Sequence, residues 1–508
     1  MYRKDGYVAD TEFTHHFYRE LSPTFINFAA AVSGYAAPDI TKPFRYIEIG
    51  SGQGITTNIL AATHPKGEFV GIDFNPSQIA KSRAMAEEAG LTNIEFRQES
   101  FQEAATKDDH EIKPADYICL HGIYSWVGLE ARQSIFDFIS KKLRAGGIVY
   151  ISYNSMPGWA ELHPIRQFFY EYSNLLNGSS LERACDVVSA AQKMLSSDME
   201  FFKQNPKSIQ RMEEMVHKSP NYISHEYLHK NWPLCYVTEM RRHFSDLYID
   251  SIGNAEPIEN FDNLYFEDDV IKIIQMAEDQ NIKEMLKDFA CNQWFRRDLF
   301  GKGTPKLNEH QMFDRLNNVK FIATKNEDEL NFNFETYQGQ ATLNESKYLP
   351  IPGHLENSPR TIGELCHLTG LSFEIVIQGV SALLASGDIH MEAVGEVDHK
   401  AGARLNDVIA KRIEHGEPYR TIAAPKIGNG IDVNAIEAIA APFLQENPET
   451  NEDEMARYLN EKLGKFKGKI PLSGKYQEYE DVSIEFISRS VENITKTKLN
   501  LWNGIGVL

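Results

Sequence analysis

Cysteine is scarce in this chain of 508 residues: Cys119, Cys185, Cys235, Cys291 and Cys366 lie far apart and form no CxxC pair. With that spacing neither a zinc site nor a disulfide framework is indicated. Long apolar runs are missing too. None approaches the roughly 18 residues of a membrane-spanning helix, and the first residues lack the apolar core of a signal peptide. A cytoplasmic protein without membrane insertion is expected. Positive charge is in deficit, with 52 basic against 72 acidic residues and a net charge of −20. Nucleic-acid backbones need a basic footprint, so no nucleic-acid partner is expected. A basic protein substrate would suit the charge; a solvated acidic surface is the simpler cause. Length alone implies roughly three domains of ~100–200 residues each.

What is present begins at Tyr46-Ile47-Glu48-Ile49-Gly50-Ser51-Gly52-Gln53-Gly54, with Gly71-Ile72-Asp73 closing the next apolar run. An apolar strand ending in an acid, then three glycines at alternate positions, makes a turn where backbone can approach a ligand closely. A carboxylate closing the following strand is placed to take a ribose diol. The nicotinamide fingerprint G-x-G-x-x-G fails, because its third glycine would fall at Ile55 or Thr57. The pattern acid-x-G-x-G-x-G resembles motif I of class I S-adenosylmethionine-dependent methyltransferases. That resemblance implies S-adenosyl-L-methionine as the cofactor.

The surrounding sequence alternates strands and helices: strands over 44–49, 68–73, 93–98, 115–121 and 148–153, helices over 55–63, 75–89 and 131–143. Such alternation indicates an α/β fold, a parallel sheet with helices on both faces. Ligand-contacting residues then lie at the carboxyl ends of the strands. Those are Gly50, Ser51, Gly52 and Gly54 after the first, Asp73 and Phe74 after the second, and Glu99 and Ser100 after the third. Leu120 closes the fourth. Glu48 is expected to orient the glycine loop and the methionine amino group. Asp73 either takes the ribose hydroxyls or caps the next helix. Glu99 or Ser100 either meets the adenine edge or simply faces solvent.

Methyl transfer from a sulfonium is an in-line displacement, which demands alignment more than a protein nucleophile. An amine acceptor must also arrive neutral, against a lysine pKa of about 10.4. A desolvated aromatic pocket lowers that value, and ring faces favour sulfonium and methylated ammonium groups. His121, Tyr124 and Trp126 follow the fourth strand, where the acceptor approaches. A second aromatic supply is the N-terminal arm from Tyr7 through Phe13, His16 and Tyr18, which could fold over the cofactor as a lid. Tyr153, Asn154 and Trp159 end or follow the fifth strand. Each aromatic has a packing reading beside the functional one, and His121 is either a base or orienting group or a satisfied histidine. No Asn/Asp-Pro-Pro-aromatic motif of base N-methylating enzymes follows the fourth strand. Cys119 sits within an apolar strand and reads as core.

Together these segments resemble class I methyltransferases carrying a methyltransferase regulatory domain, a group that includes the rickettsial outer-membrane-protein lysine methyltransferases. The resemblance rests on 14–23, the glycine loop, Asp73-Phe74-Asn75-Pro76, 121–126, 146–154 and Pro157-Gly158-Trp159. Downstream, His225-Glu226-Tyr227-Leu228 and Asn292-Gln293-Trp294-Phe295-Arg296 resemble the regulatory domain. It implies N-methylation of protein lysine. The residues by themselves indicate a methyltransferase with an aromatic acceptor site; a small-molecule or saccharide acceptor, or a non-catalytic cofactor-binding protein, are the alternatives.

The expected architecture is a Rossmann-like class I methyltransferase sheet followed by mostly helical and winged-helix-like C-terminal domains. The divisions are 1–43 (arm or lid), 44–159 (cofactor domain), 160–305 (helical insertion and regulatory-like domain), 306–400 (strand pair and winged-helix-like module) and 401–508. Leu181, Cys185, Val188, Gln192, Leu195, Met199 and Phe202 recur at steps of four and three, predicting one helical seam. It is read as core-facing, with a homodimer face set by Gln192 as the alternative. His225-Glu226-Tyr227-Leu228-His229 matches H-E-x-x-H in form, but a packing role is expected and no metal. A strand pair is expected near 317–343. Over 360–391 the pattern is helix, turn, helix, strand. Its second helix, 373–385, carries Glu374 and no Lys or Arg, unlike a DNA reader. In the tail, helices are expected over 432–441, stopped by Pro442, and 451–463.

Overall fold

The computed structural model describes residues 16–326 and, with short gaps between 327 and 357 and between 464 and 483, the chain onward to Leu508. The aromatic arm up to residue 15, Tyr7 and Phe13 included, lies outside the described residues. The central sheet has seven strands: β1 (Phe44–Ile49), β2 (Gly67–Asp73), β3 (Ile94–Gln98), β4 (Ala115–Leu120), β5 (Leu143–Asn154), β6 (Asp250–Asn254) and β7 (Phe295–Gly301). Their order is β3-β2-β1-β4-β5-β7-β6. The first five are parallel, and β7 runs antiparallel to both β5 and β6. Inserting an antiparallel β7 beside β5 separates this sheet from the doubly wound dinucleotide order.

Helices follow the early strands: α1 (Pro23–Val32) leads into β1, and α2 (Ile55–Thr63), α3 (Pro76–Glu88), α4 (Phe101–Thr106) and α5 (Leu129–Lys142) connect the strands after it. Pro76 stands in the first turn of α3, and the Asn75 side chain accepts from the Ser77 and Gln78 amides, as N-cap chemistry requires. Strand β5 differs from expectation. Gly146-Gly147 does not separate helix from strand but lies within β5, where Gly146 takes φ +81° and the register against β4 shifts. A left-handed glycine lets the strand bulge and continue. Because β6 and β7 come from 160–305, the expected division at 159/160 cuts through the sheet.

Between β5 and β6 lies a helical insertion containing α6 (His163–Asn174), α7 (Ser180–Leu195), α8 (Glu200–Gln204), α9 (Pro206–Val216), α10 (Pro220–Tyr227) and α11 (Val237–Ser245). The predicted seam holds only in part: Val188 and Leu195 pack against the core of the insertion and Phe202 is buried in it. α7 stops at Leu195, Leu181, Cys185 and Gln192 are exposed, and the buried line is Ser180, Ala184, Val187 and Ala191. Small residues let α7 approach α9 and α10 closely, so shape rather than hydrophobic count chose the face.

The strand pair is found at Asn333–Thr336 and Gly339–Thr342. The winged-helix pattern also appears: Arg360–Thr361, helices Ile362–Thr369 and Phe373–Ala385, and strand Ile389–Met391, with Lys320–Ala323 as central strand. Phe373–Ala385 is buried from Val376 to Leu384, so the helix that would enter a DNA groove is inside the protein. In the tail, helix Ala435–Glu446 runs through Pro442 instead of stopping. A proline forfeits one backbone bond and crowds the preceding turn; burial of Ile436, Ile439 and Leu444 on either side offsets that loss. Among the described residues no single helix is long and apolar enough to cross a membrane.

The cofactor-side helix α2 is buried at all nine positions, Ile55 through Thr63. One face lies on the sheet. The other is covered by helix His399–Glu414 and the hairpin Thr421–Ala424/Asn429–Asp432, so that Ile55, Ile59 and Ala62 share a core with Leu405, Ile409 and Ile422. Residues 55–63 contain no charge on any side, the pattern of an enclosed helix. Arg404 Nε donates to the Ala89 carbonyl at 2.8 Å and Arg412 pairs with Glu88, fixing the same contact from its rim. Removing a buried isoleucine to alanine costs about 2–5 kcal/mol. Ile409→Ala is therefore expected to lower hydrogen-exchange protection in α2 as well as in 399–414; loss confined to 399–414 would refute the shared core.

Candidate active site

The loop between β1 and α2 is built by three glycines in left-handed conformation, with φ of +72°, +54° and +70° at Gly50, Gly52 and Gly54. A Cβ at Gly50 would lie 2.3 Å from Ile123 Cδ1, and one at Gly54 2.6 Å from Ser82 Oγ. At Gly52 nothing lies within 4 Å, so there the backbone faces open space. The Gly50 and Ser51 amides both donate to the Ile72 carbonyl, at 2.7 and 3.1 Å, tying the loop to β2.

Two buried acids flank it. Glu48 accepts from Thr57 Oγ1 in the first turn of α2. Asp73 accepts from the Gly52 amide at 3.0 Å and from the Asn75 amide at 2.9 Å, so it both orders the loop and enters α3. A carboxylate has about four lone-pair sites, which leaves Asp73 room for a diol. Burial raises Glu48 to about 7, with the charge of Asp73 adding to the shift, and burial raises Asp73 to about 6. No ion pair joins either acid to a described residue. Ser51 Oγ and Glu99 Oε2 are buried without a partner among the described residues. Uncompensated acids together with orphaned polar atoms fit a nucleoside that carries cationic groups, which would restore both acids to the charged form.

The remaining cofactor candidates divide. Phe74 is half-buried beside Asp73. Arg97 holds Glu99 Oε1 at 2.8 Å, leaving Oε2 for a ligand. The Ser100 hydroxyl is engaged in a capping box with Glu103 at the start of α4. Leu120 is fully buried in the core on the α5 side of the sheet, so only its backbone could meet a ligand.

On the acceptor side the structure separates residues that the sequence groups. His121 stacks on Tyr18, with ring centroids 3.6 Å apart, and packs near Phe295. Residues 124–126 form a 3₁₀ turn whose three side chains are all buried. Eclipsed spacing in such a turn sends neighbours different ways. Tyr124 joins Phe136 and Tyr153 in the core beneath Arg132, and burial lifts its hydroxyl to about 12. Trp126 turns to His229 of the insertion. His121, Tyr124 and Trp126, grouped on the acceptor side by their place after β4, thus reach three compartments. Tyr18 does belong beside His121. Its amide donates to Thr56 Oγ1 at 3.4 Å, and Ile123 packs on Gly50, so the Tyr18–His121 pair borders the glycine loop.

Asn154 is buried, its backbone N–H donating to Ser125 Oγ at 2.7 Å. Beside its side chain is Glu226 of α10, which burial pushes up to about 8. Tyr153 donates to Asp298 at 2.6 Å, and Trp159 Nε1 to the Trp294 carbonyl at 2.7 Å. His225 and His229 have ring centroids 6.4 Å apart, and no third donor completes a metal site among the described residues.

Sequence reasoning missed Glu226, Glu20, Tyr150 and Arg297. Tyr150 lies 2.8 Å from His121 Nδ1, and Glu20 lies between His121 and Arg297. The available signal was Arg296-Arg297 inside an otherwise strand-like run, since charges buried in a sheet require partners.

Sheet order, loop and acids define a Rossmann-like methyltransferase fold. A family model described as a methyltransferase domain matches residues 47–149, and one described as a predicted methyltransferase regulatory domain matches 219–302. The uncharacterized protein sll1526 of Synechocystis sp. is 30% identical over 512 residues, 99% of each chain. The uncharacterized protein RP789 of Rickettsia prowazekii is 27% identical over 349 residues, 65% of this chain and 59% of that one. The solved structure of PKMT2 from Rickettsia typhi in complex with AdoHcy matches with a TM-score of 0.70 at 18% identity, covering 98% of this chain and 100% of that one. The chain belongs to the class I S-adenosylmethionine-dependent methyltransferases that carry a methyltransferase regulatory domain.

The two acids make stability depend on pH. Their folded values lie above the roughly 4 of an unfolded carboxylate, so the folded chain holds the protons more tightly. Their favourable contribution is full below about pH 4 and is lost as pH rises through about 6 and 7. Glu48→Gln is expected to flatten the fall in urea midpoint of the ligand-free protein between pH 5 and pH 8; an unaltered pH dependence would refute the assignment.

Proposed function

We propose that this methyltransferase transfers the methyl group of S-adenosylmethionine to lysine side chains of a protein in the cytoplasm. The observation that carries the reading is the pair of buried acids, paired with no cation among the described residues, around a left-handed glycine loop bordered by the stacked Tyr18–His121 rings. Gly52 would offer backbone to the cofactor, Asp73 would take the ribose hydroxyls, and Glu48 would hold the loop and face the amino group. Ser51 and Glu99 supply unpaired polar atoms for the remaining edges. When bound, the sulfonium supplies an activated methyl group.

The chain's own residues would do the rest. Burial holds His121 down to about 4, so its ring is neutral at physiological pH. The same desolvation disfavours an incoming ammonium and releases its lone pair, while the aromatic faces tolerate a cation once it is methylated. Three things support lysine as acceptor: the family resemblance, the net charge of −20, which suits a basic protein, and architecture shared with rickettsial PKMT2.

Two measurements test the proposal. Leaving buried ribose hydroxyls unpaired costs about 1–3 kcal/mol, so Asp73→Ala should weaken cofactor binding in calorimetry by that amount; unchanged affinity defeats the site. Tritiated methyl from S-adenosylmethionine should enter protein of the source cells and appear as methyl-lysine after hydrolysis. Label found only in small molecules or polysaccharide would overturn the acceptor.

A further inference from the structure

The catalytic-side histidine sits at the end of a buried polar chain drawn from three parts of the molecule. Tyr150 Oη lies 2.8 Å from His121 Nδ1 and 3.5 Å from Glu20 Oε1. The same Glu20 oxygen is 3.9 Å from Nδ1 and 3.7 Å from Arg297. Arg297, which lies in the regulatory segment, also pairs with Glu256 at 3.7 Å and Glu259 at 3.1 Å. Arg19 closes the cluster on Glu256 at 3.6 Å, and its guanidinium donates to the Leu384 and Ala385 carbonyls at the end of helix Phe373–Ala385.

Proton counting restricts this chain. A carboxylate only accepts hydrogen bonds, and a phenol has one proton to give. Burial opposes charge on Glu20, but Arg297 first, then a backbone bond and Arg19, favour the carboxylate, and its pKa lies below the ordinary value. An ionised Glu20 takes the Tyr150 proton, which leaves the Tyr150 oxygen to accept from Nδ1–H. The converse, Tyr150 donating to a bare Nδ1, would turn phenolic lone pairs toward the anion. The carboxylate so close to Nδ1 favours a proton there as well. The plane of the ring is set on both sides, because His121 is stacked on Tyr18 and lies nearly parallel to Tyr150, at an interplanar angle of 18°.

We propose that Glu20 and Tyr150 act as positioning residues that lock His121 in the Nδ1–H tautomer, leaving Nε2 as a hydrogen-bond acceptor for the N–H of the methyl acceptor. A neutral primary amine has two N–H groups and one lone pair. Holding one N–H at Nε2 leaves the lone pair free to aim at the methyl carbon. A carboxylate acceptor has no proton to offer and would meet lone pair with lone pair. The arrangement therefore selects amines against carboxylates. It also gives the regulatory segment a role, since Arg297 keeps Glu20 ionised. The acceptor part rests on the methyltransferase reading above; the tautomer part does not.

The full chain labelled with ¹⁵N-histidine reports the tautomer directly, with His121 assigned by loss of its signal in His121→Asn. Wild type should show Nδ1–H and an unprotonated Nε2. Glu20→Gln, whose amide can donate to Tyr150, should move the proton to Nε2, and Tyr150→Phe should leave a mixture. Misorientation at a reacting centre costs about a hundredfold. Both variants should accordingly lose about that much turnover on the protein fraction labelled in the lysate, with KM for S-adenosylmethionine within about twofold of wild type. Nε2–H in wild type overturns the proposal, as does a folded Glu20→Gln that keeps Nδ1–H. Should that variant fail to fold, an unchanged tautomer in Tyr150→Phe overturns it equally. Failure to label any lysine would sink the acceptor reading and leave the spectroscopic result standing.

Discussion

Two adjacent arginines on β7 hold the molecule's parts in place. Side chains alternate along a strand, so Arg296 and Arg297 leave β7 on opposite faces of the sheet. Arg296 is buried among Asp288, Asp298 and Glu284, and Asp298 in turn receives Tyr153 from β5. Arg297 meets Glu20, Glu256 and Glu259. A buried ion cluster is a weak source of net stability, but each member becomes costly once its partners go. Two neighbouring strand positions thereby fix β5 against β7 on one face and the N-terminal segment against His121 on the other. Arginine suits both places because it stays charged and donates in several directions at once.

The local parts of the site were legible in the sequence, and the assembled parts were not. Strand β1 and helix α2 fall where periodicity puts them, and Gly50, Gly52 and Gly54 adopt the conformation only glycine takes easily. Those features depend on neighbours a few residues away. The separation of His121, Tyr124 and Trp126 was not legible because a single 3₁₀ turn spreads them over three compartments, which spacing alone does not reveal. The α7 seam was met only in part for a related reason. Leu181 and Val188 make the stronger apolar pattern, yet Ala184 and Ala191 allow the closer approach. Glu20 carries no motif of its own; its meaning comes from Arg297, 277 positions away in the chain.

The domain boundaries read from composition also met a physical limit. A sheet edge is a row of unpaired backbone groups that must be covered or extended. Here β7 pairs with β5, and β6 follows it, although both strands lie some hundred residues downstream, beyond the helical insertion. The segment matched by the regulatory-domain family is therefore part of the catalytic sheet as well as an addition to it. The winged-helix module is similarly internal, with its second helix enclosed and not offered to a groove.

The enclosure of α2 has a consequence for how such a chain can change over evolutionary time. Ile55, Ile59 and Ala62, with Met85 and Ala89 of the next connection, already lie in the same core as Leu405 and Ile409. A catalytic half copied alone into another gene would carry that apolar stripe uncovered, and a bare stripe invites aggregation. The tail cannot be traded for an unrelated one without first repainting the helix that begins at the glycine loop. Cofactor helix and tail thus share one core, and a change in either is answerable to the other.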